Sequence, residues 1–419
     1  MAAPALSPRS FGAVRLARLS GMASRAIGYG AGRTLPGRVA LRVAPGALRE
    51  LARPHRVVLI SGTNGKTTTT RLLAASLATA VPVVSNSDGS NLVAGLTTAL
   101  LQPGLQPGTA VLEVDEIALP AAVAQCDPVL VVLLNLSRDQ LDRTGEVASH
   151  VVRWSAALAG CPTTAVMANA DDPLVVAAVL AARPAADLVT WVAAGQPWRR
   201  DFTVCPRCRQ AWHPAPVEWA CEACGLRRPE PTWALQGRDV VGPDGRSEPL
   251  GLALPGRANA ANAVVALAAA AALGVPTEPA LARMRLVVDV EGRYQVRHVG
   301  EHQVRLLLAK NPAGWLEALD EVGQSDRPVV IAINARTADG TDPSWLWDVP
   351  LAGLAGRLVV ASGERAADLA VRLHYAEVSH TVIPDLGQAL ASLPPGPCDL
   401  LANYTAFVRA LRELTPATS

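Results

Sequence analysis

Apolar residues in this chain cluster in short β-branched runs separated by helical spacers. Val57-Val58-Leu59-Ile60, Val81-Pro82-Val83-Val84, Ala110-Val111-Leu112-Glu113-Val114, Val129 to Leu134 and Ala165-Val166-Met167-Ala168 have the length and composition of buried parallel strands. Between several of them the apolar positions recur at helical spacing, as in Arg71-Leu72-Leu73-Ala74-Ala75-Ser76-Leu77. This alternation predicts an α/β fold, an open and mostly parallel sheet covered by helices on both faces, with ligands at the carboxyl ends of the strands. Ala263 to Val275 is too short to span a bilayer and predicts a buried Ala-rich helix. Further on, Val329 to Ile333 and Leu358 to Ala361 predict a second, smaller α/β domain.

The polar punctuation carries the chemistry. Val57–Ile60 runs into Ser61-Gly62-Thr63-Asn64-Gly65-Lys66-Thr67-Thr68, which reads as strand, phosphate loop and helix start. Gly62 and Gly65 permit a tight turn that aims backbone N–H groups at phosphate oxygens, and the helix N-terminus favours negative charge. Lys66 is expected on the β- and γ-phosphates of ATP and the Thr67 hydroxyl on Mg²⁺. The general G-x-x-x-x-G-K-[ST] pattern is not met, because Ile60 stands where its first Gly would be. Acid and amide clusters follow the other strands: Glu113 to Glu116, Asn135 to Arg143, and Asn169 to Pro173. Glu113 is the candidate Mg²⁺ ligand, against the simpler reading of a helix cap. Asn259 and Asn262, one turn apart, can face a nucleotide together.

Cys205-x₂-Cys208, twelve residues, then Cys221-x₂-Cys224 is the spacing of two zinc knuckles, which places four thiolates around a structural Zn²⁺. Trp212, His213 and Trp219 are expected to pack that ribbon. The other cysteines, Cys126, Cys161 and Cys398, lack a nucleophile setting and read as small apolar residues.

Composition adjusts this picture in three ways. The 419 residues suffice for two or three domains, and a net charge of +2 argues against nucleic acid as a partner. Paired cysteines and the lack of a convincing signal peptide or membrane span point to the cytoplasm. Residues 1 to 56 carry ten Arg against one acid, Glu50. That stretch reads either as a solvated helical preface packed on the domain or as basic amphipathic helices at the inner face of a membrane. The expected domains are a basic N-terminal segment (1–50), an ATP-binding central domain (51–283) with the ribbon inserted (200–230), and a C-terminal domain (284–419).

The loop Gly62-Thr-Asn-Gly-Lys-Thr-Thr68 has the form used by Mur ligases and folylpolyglutamate synthetases. Together with Glu113-Val-Asp-Glu116, Arg138-Asp-Gln-Leu-Asp-Arg143, the four-cysteine ribbon, Leu308-Ala-Lys-Asn-Pro-Ala-Gly314, Ala338-Asp-Gly340, Ser344-Trp-Leu-Trp-Asp348 and Asn403-Tyr-Thr405, the chain resembles the MurT family, Mur-ligase-like subunits of lipid II isoglutaminyl synthase. The resemblance runs from about Arg33 to Phe407 and departs from the expected pattern at Ser90, Ser137 and Arg336. It implies ATP-dependent amidation of the D-glutamate α-carboxylate in the lipid II stem peptide. It also implies a heterodimer with a GatD-like glutaminase that supplies ammonia. In that family the C-terminal domain lends an acid to the glutaminase's catalytic Cys and His. Asp348 is the candidate, with Asp339 and Asp342 as competitors. Two other readings share parts of the pattern: another amino-acid ligase of the Mur or folylpolyglutamate type, and a zinc-ribbon nucleic-acid ATPase using Arg207, Arg209, Arg227 and Arg228.

Overall fold

The computed structural model describes residues 6–26, 34–86, 89–102, 107–138, 147–198, 200–215, 218–288 and 294–414. Positions 139–143 of the Arg138–Arg143 motif lie outside them, as do 289–293 near the expected domain boundary. The chain divides into two compact units: Met1–Leu136 with Glu146–Leu254 and Ala258–Val288, and Ser137–Gly145 with Pro255–Arg257 and Asp289–Ser419.

Each apolar run of the first unit becomes a strand, because a segment that is apolar on both faces is satisfied only between two helical layers. β1 (Arg56–Ser61), β2 (Val83–Ser85), β3 (Thr109–Val114), β4 (Leu130–Leu133), β5 (Ala165–Asn169), β6 (Val189–Ala193), β7 (Trp233–Gln236), β8 (Asp239–Val241) and β9 (Ser247–Pro249) form one sheet, ordered β2-β3-β1-β4-β5-β6-β7-β8-β9. It is parallel through β7 and antiparallel beyond. β1 sits between β3 and β4, registered Ile60↔Glu113 and Ile60↔Val132, so the phosphate loop leaves the sheet beside two polar strand ends. The Ala-rich helix is observed as Arg257–Ala272, with its 263–270 stretch buried. Between β6 and β7 lies the ribbon, whose knuckles are closed by the bridges Val204↔Ala211 and Ala220↔Arg227.

In the second unit β10 (Tyr294–Val299), β11 (His302–Leu308), β12 (Val329–Ala332), β13 (Val359–Ser362), β14 (His380–Val382) and β15 (Gly396–Ala402) form a sheet ordered β10-β11-β15-β12-β13-β14. All neighbours are parallel except the β10–β11 hairpin. Polar residues beginning at Lys310, Asn334 and Asn403 follow the carboxyl ends of β11, β12 and β15, three adjacent strands, so the Leu308–Gly314 and Asn403–Thr405 motifs and the segment leading to Ala338–Gly340 leave the sheet side by side.

A charge cluster sits inside this unit. Asp399 is wholly buried at the register position facing Arg305, whose Nε and Nη2 donate to Asp399 Oδ1 and Oδ2 at 2.8 and 3.0 Å; Nη1 donates to Glu321 Oε1 at 2.7 Å. Removing the guanidinium leaves the buried carboxylate without its hydrogen-bonded partner and with only the more distant Arg327 and Arg357 at 3.9 and 4.0 Å, whereas a half-exposed pair such as Arg409–Glu413 is largely replaced by water. Arg305→Met is therefore expected to cost about 3–5 kcal/mol, against less than about 1 kcal/mol for Arg409→Met, measured by equilibrium urea unfolding.

Candidate active site and cysteine ribbon

Both glycines of the phosphate loop stand where a side chain would not fit. Gly62 has φ 149°, and a Cβ there would meet Leu134 Cβ at 2.8 Å; Gly65 has φ 85°, and its Cβ would meet Asn262 Oδ1 at 2.2 Å. The loop is fastened to the end of β4 by Asn135. Its backbone carbonyl accepts from Thr63 N at 2.9 Å, its Oδ1 accepts from Asn64 N at 2.9 Å, and its Nδ2 donates to Asn64 O at 3.1 Å. Asn262 reaches the loop from the start of the helix Arg257–Ala272, while Asn259 lies half-buried one turn earlier. Lys66, Thr67 and Thr68 open the helix Lys66–Leu77 and are buried.

Lys66 Nζ donates to the carbonyls of Gly62 and, at 3.1 Å, Thr63, and pairs with Glu116 Oε2 at 3.1 Å. A buried ammonium is tolerated only with such compensation. Trp154 Nε1 donates to the Glu116 carbonyl at 3.1 Å, fixing that backbone. Glu113, at the end of β3, is almost wholly buried. Its backbone N and O are clamped by the Asn86 amide at 2.8 Å each, its Oε1 accepts from Asn91 Nδ2 at 3.2 Å, and its Oε2 has no hydrogen-bond partner. A buried carboxylate oxygen without a donor, beside a phosphate loop, suits a hard divalent cation.

Several residues here escaped sequence reasoning. Glu116 belonged to the acid cluster, but periodicity does not say which acid meets the lysine. Asn135 carried the signal of an amide at a strand end. His150 carried none: it lies buried on the helix Val147–Ala159 with an unpartnered Nδ1. Burial pulls its pKa below the usual imidazole value, while Glu116 pulls the other way. Asp172 caps the helix Pro173–Ala182 through Leu174 N and Val175 N, and also accepts from Leu136 N at 2.8 Å, tying β4's exit to β5's. Full burial pushes its carboxyl up to about 6.

In the ribbon, the sulfurs of Cys205, Cys208, Cys221 and Cys224 all lie within 4.8 Å of one another, a donor set that fits a tetrahedral thiophilic cation such as Zn²⁺. Trp219 is buried and meets Trp212 edge-on at 5.7 Å, as expected of a small packed knuckle. His213 is exposed instead, because the sulfurs and indoles already fill the interior. Arg228 turns inward, Nε to Asp171 Oδ1 at 2.7 Å, which removes it from a basic outer face. Cys126 and Cys398 are buried, and desolvation pushes their thiols up to about 12 and about 11; Cys161 is half-buried and also raised by burial. Thiols held protonated in this way are poor nucleophiles.

The three candidate acids of the C-terminal unit have different surroundings. Asp339 is buried and accepts from Thr405 N at 2.8 Å and from Arg336 N at 3.2 Å, bracing an Asn334–Asn403–Thr405 network. Asp342 accepts from Ser344 N and Oγ at 2.8 and 2.9 Å as a turn cap. Asp348 ends the turn Ser344–Asp348 with its carboxylate about a third exposed, 3.4 Å from Arg138 Nη1. Beside it Trp347 is exposed and stacks edge-on with Tyr375 at 5.4 Å.

Comparison with known proteins places this arrangement. The family described as Mur ligase middle domain matches residues 60–204, and that described as MurT ligase C-terminal matches residues 308–407. Among solved structures, MurF from Acinetobacter baumannii superposes with a TM-score of 0.66 at 18% identity, covering 90% of this chain and 80% of that one. Mycobacterium tuberculosis folylpolyglutamate synthase, solved with ADP and AMPPCP, superposes with a TM-score of 0.63 at 16% identity, covering 97% and 99%. At those identities the likeness is one of fold. The chain is also 31% identical to the lipid II isoglutaminyl synthase (glutamine-hydrolyzing) subunit MurT of Streptococcus pneumoniae, over 92% of both chains. It is 30% identical to the subunit of the same name from Staphylococcus aureus, over 97% of this chain and 98% of that one. With both family matches in order along one chain and this identity sustained over nearly its whole length, the chain belongs to the MurT family of Mur-ligase-like subunits.

Proposed function

We propose that this chain is the synthetase subunit of a glutamine-hydrolysing lipid II isoglutaminyl synthase, an ATP-dependent ligase of peptidoglycan synthesis acting at the cytoplasmic face with a GatD-like glutaminase. The observation that carries the reading is the buried Lys66–Glu116 pair inside a phosphate loop, one strand from the unpartnered Oε2 of Glu113. Residues 62–68 would hold the phosphates of ATP, with Asn259 and Asn262 completing the nucleotide's surroundings. Thr67 and Glu113 would hold Mg²⁺, whose contribution is to neutralise phosphate charge. Lys66 would exchange Glu116 for the β- and γ-phosphate oxygens.

In the reaction so arranged, an α-carboxylate oxygen of the stem D-glutamate attacks the γ-phosphorus and ADP departs, leaving an acyl phosphate. Ammonia then attacks the acyl carbon, phosphate departs, and loss of a proton leaves the D-isoglutamine amide. Positioning and charge neutralisation supply most of such a rate enhancement. Glutamine-derived nitrogen would come from another protein, since burial raises the thiol pKa of all three cysteines outside the ribbon, Cys126 and Cys398 enclosed and Cys161 half-buried. Asp348 is our choice for the acid lent to the partner's histidine: Asp339 is buried and held by Thr405 N, Asp342 is held by Ser344, and Asp348, partly exposed and 3.4 Å from Arg138 Nη1, stands beside the exposed Trp347. In the ribbon, bound Zn²⁺ would cross-link two knuckles, a structural task.

The test is amidation of lipid II followed by mass spectrometry, with the chain alone and with its glutaminase. The expected product is lighter by about one mass unit per stem, from glutamine only with both proteins and from ammonium with this chain alone; no product under either condition overturns the proposal. Lys66→Ala is expected to lower both reactions by about a hundredfold or more with the melting curve unchanged; retained turnover would exclude Lys66 from phosphate binding. Asp348→Asn should abolish the glutamine-dependent reaction and spare the ammonium-dependent one, and equal loss of both would move the residue out of the partner's triad. Cys205→Ser, or chelation of the metal, should lower thermal stability before it changes the ammonium-dependent rate, with metal content falling in parallel.

A further inference from the structure

The helix Pro8–Ala26 has two apolar faces. One is spent on the chain itself. Ser10 is buried, Ala13, Val14 and Ala17 are buried in a cluster with Ala40, Ala44, Ala47 and Leu101, and Gly21 approaches Pro36 so closely that an added Cβ would lie 2.9 Å from its Cγ. The other face is open: Phe11, Leu16, Leu19 and Met22 are 50, 52, 61 and 61% exposed. At 3.6 residues per turn these four fall within an arc of about 140°. Arg15 lies inside that arc with its guanidinium 4.6 Å from the Phe11 ring centroid, and Arg18 lies at its edge. Both are exposed, and Arg18 is held there by donating to Leu101 O at 2.9 Å and Gln102 O at 3.3 Å.

Charge decides what can cover such a face. The helix contains no acid, and Glu50, the one acid of residues 1–56, is occupied at the helix start by Ser7 N and Oγ at 2.8 and 2.9 Å. Two copies meeting through this face would bring arginines together without a carboxylate between them, and like charges at short range repel. An anionic lipid surface supplies both missing partners, acyl chain for the four large side chains and phosphate for the guanidinium groups. No described helix is long and apolar enough to cross a membrane, so the geometry is that of a helix lying in the interface plane.

We propose that the Phe11–Leu16–Leu19–Met22 face, with Arg15 and Arg18, docks this chain peripherally on an anionic bilayer surface. A single helix of this kind binds reversibly, and it does so whatever reaction the chain carries out.

The test needs no activity. The full chain is sedimented with vesicles of phosphatidylcholine alone or with roughly 30% phosphatidylglycerol, at low and high salt. Binding to the anionic vesicles is expected to be about tenfold or more tighter than to neutral ones and to weaken in high salt. The Leu16→Ser/Leu19→Ser/Met22→Ser variant is expected to lose about tenfold or more, with an unchanged far-UV spectrum and melting point. Arg15→Glu, which leaves the apolar arc intact, should reduce the preference for anionic vesicles. No sedimentation of the wild type, or equal binding by the triple variant, would overturn the proposal. So would a wild-type dimer in ultracentrifugation that the triple variant abolishes while neither protein binds vesicles.

Discussion

A lysine buried at the end of a parallel strand needs a compensating charge, and most of the first unit is arranged around that need. Lys66 can sit where it does because Gly62 and Gly65 turn the chain without side chains, Asn135 fastens the turn to β4, and Glu116 supplies the opposite charge from beyond β3. Each of these depends on strand register, since β1 pairs with both β3 and β4. Glu116 Oε2 at 3.1 Å and the carbonyls of Gly62 and Thr63 together hold the ammonium in one orientation, so the buried charge is compensated by the protein itself.

The central strands were legible because burial on both faces leaves a β-branched run that nothing else explains, and β1, β3, β4 and β5 appear within a residue or two of the sequence expectation. The β7–β8–β9 edge was not legible, since Asp239–Val241 and Ser247–Pro249 are only three residues long, and the second is polar and mostly exposed. The β10–β11 hairpin hid for a related reason: Tyr294–Val299 alternates only half-buried and exposed positions and turns back at Gly300. Arg305 and Asp399 read as surface residues in composition and are core residues in space. Only their cross-strand register makes them partners.

At the site, residue types set by spacing were readable and partners set by three-dimensional proximity were not. The glycines, Lys66 and the four cysteines announce themselves by short, fixed intervals. Glu116 meets Lys66, and Asn86 clamps the backbone of Glu113, from elements that the sequence orders but does not orient. Among the acids of the C-terminal unit, sequence leaves three alternatives, and their surroundings differ in ways it does not show: Asp339 is buried against Thr405 N, Asp342 accepts from Ser344, and Asp348 lies 3.4 Å from Arg138 Nη1. Conversely, the ribbon's basic residues suggested a binding face until Arg228 was found turned toward Asp171.

The proposed reaction requires that the loop around Lys66 direct transfer of a phosphoryl group to a carboxylate. Lipid II labelled with ¹⁸O in the D-glutamate α-carboxylate, turned over with ATP and ammonium, tests this directly in the inorganic phosphate released. One ¹⁸O atom per amide formed must appear in that phosphate if the oxygen attacks the γ-phosphorus. Phosphate free of label, with amide still produced, would contradict the acyl phosphate and the role assigned to this site.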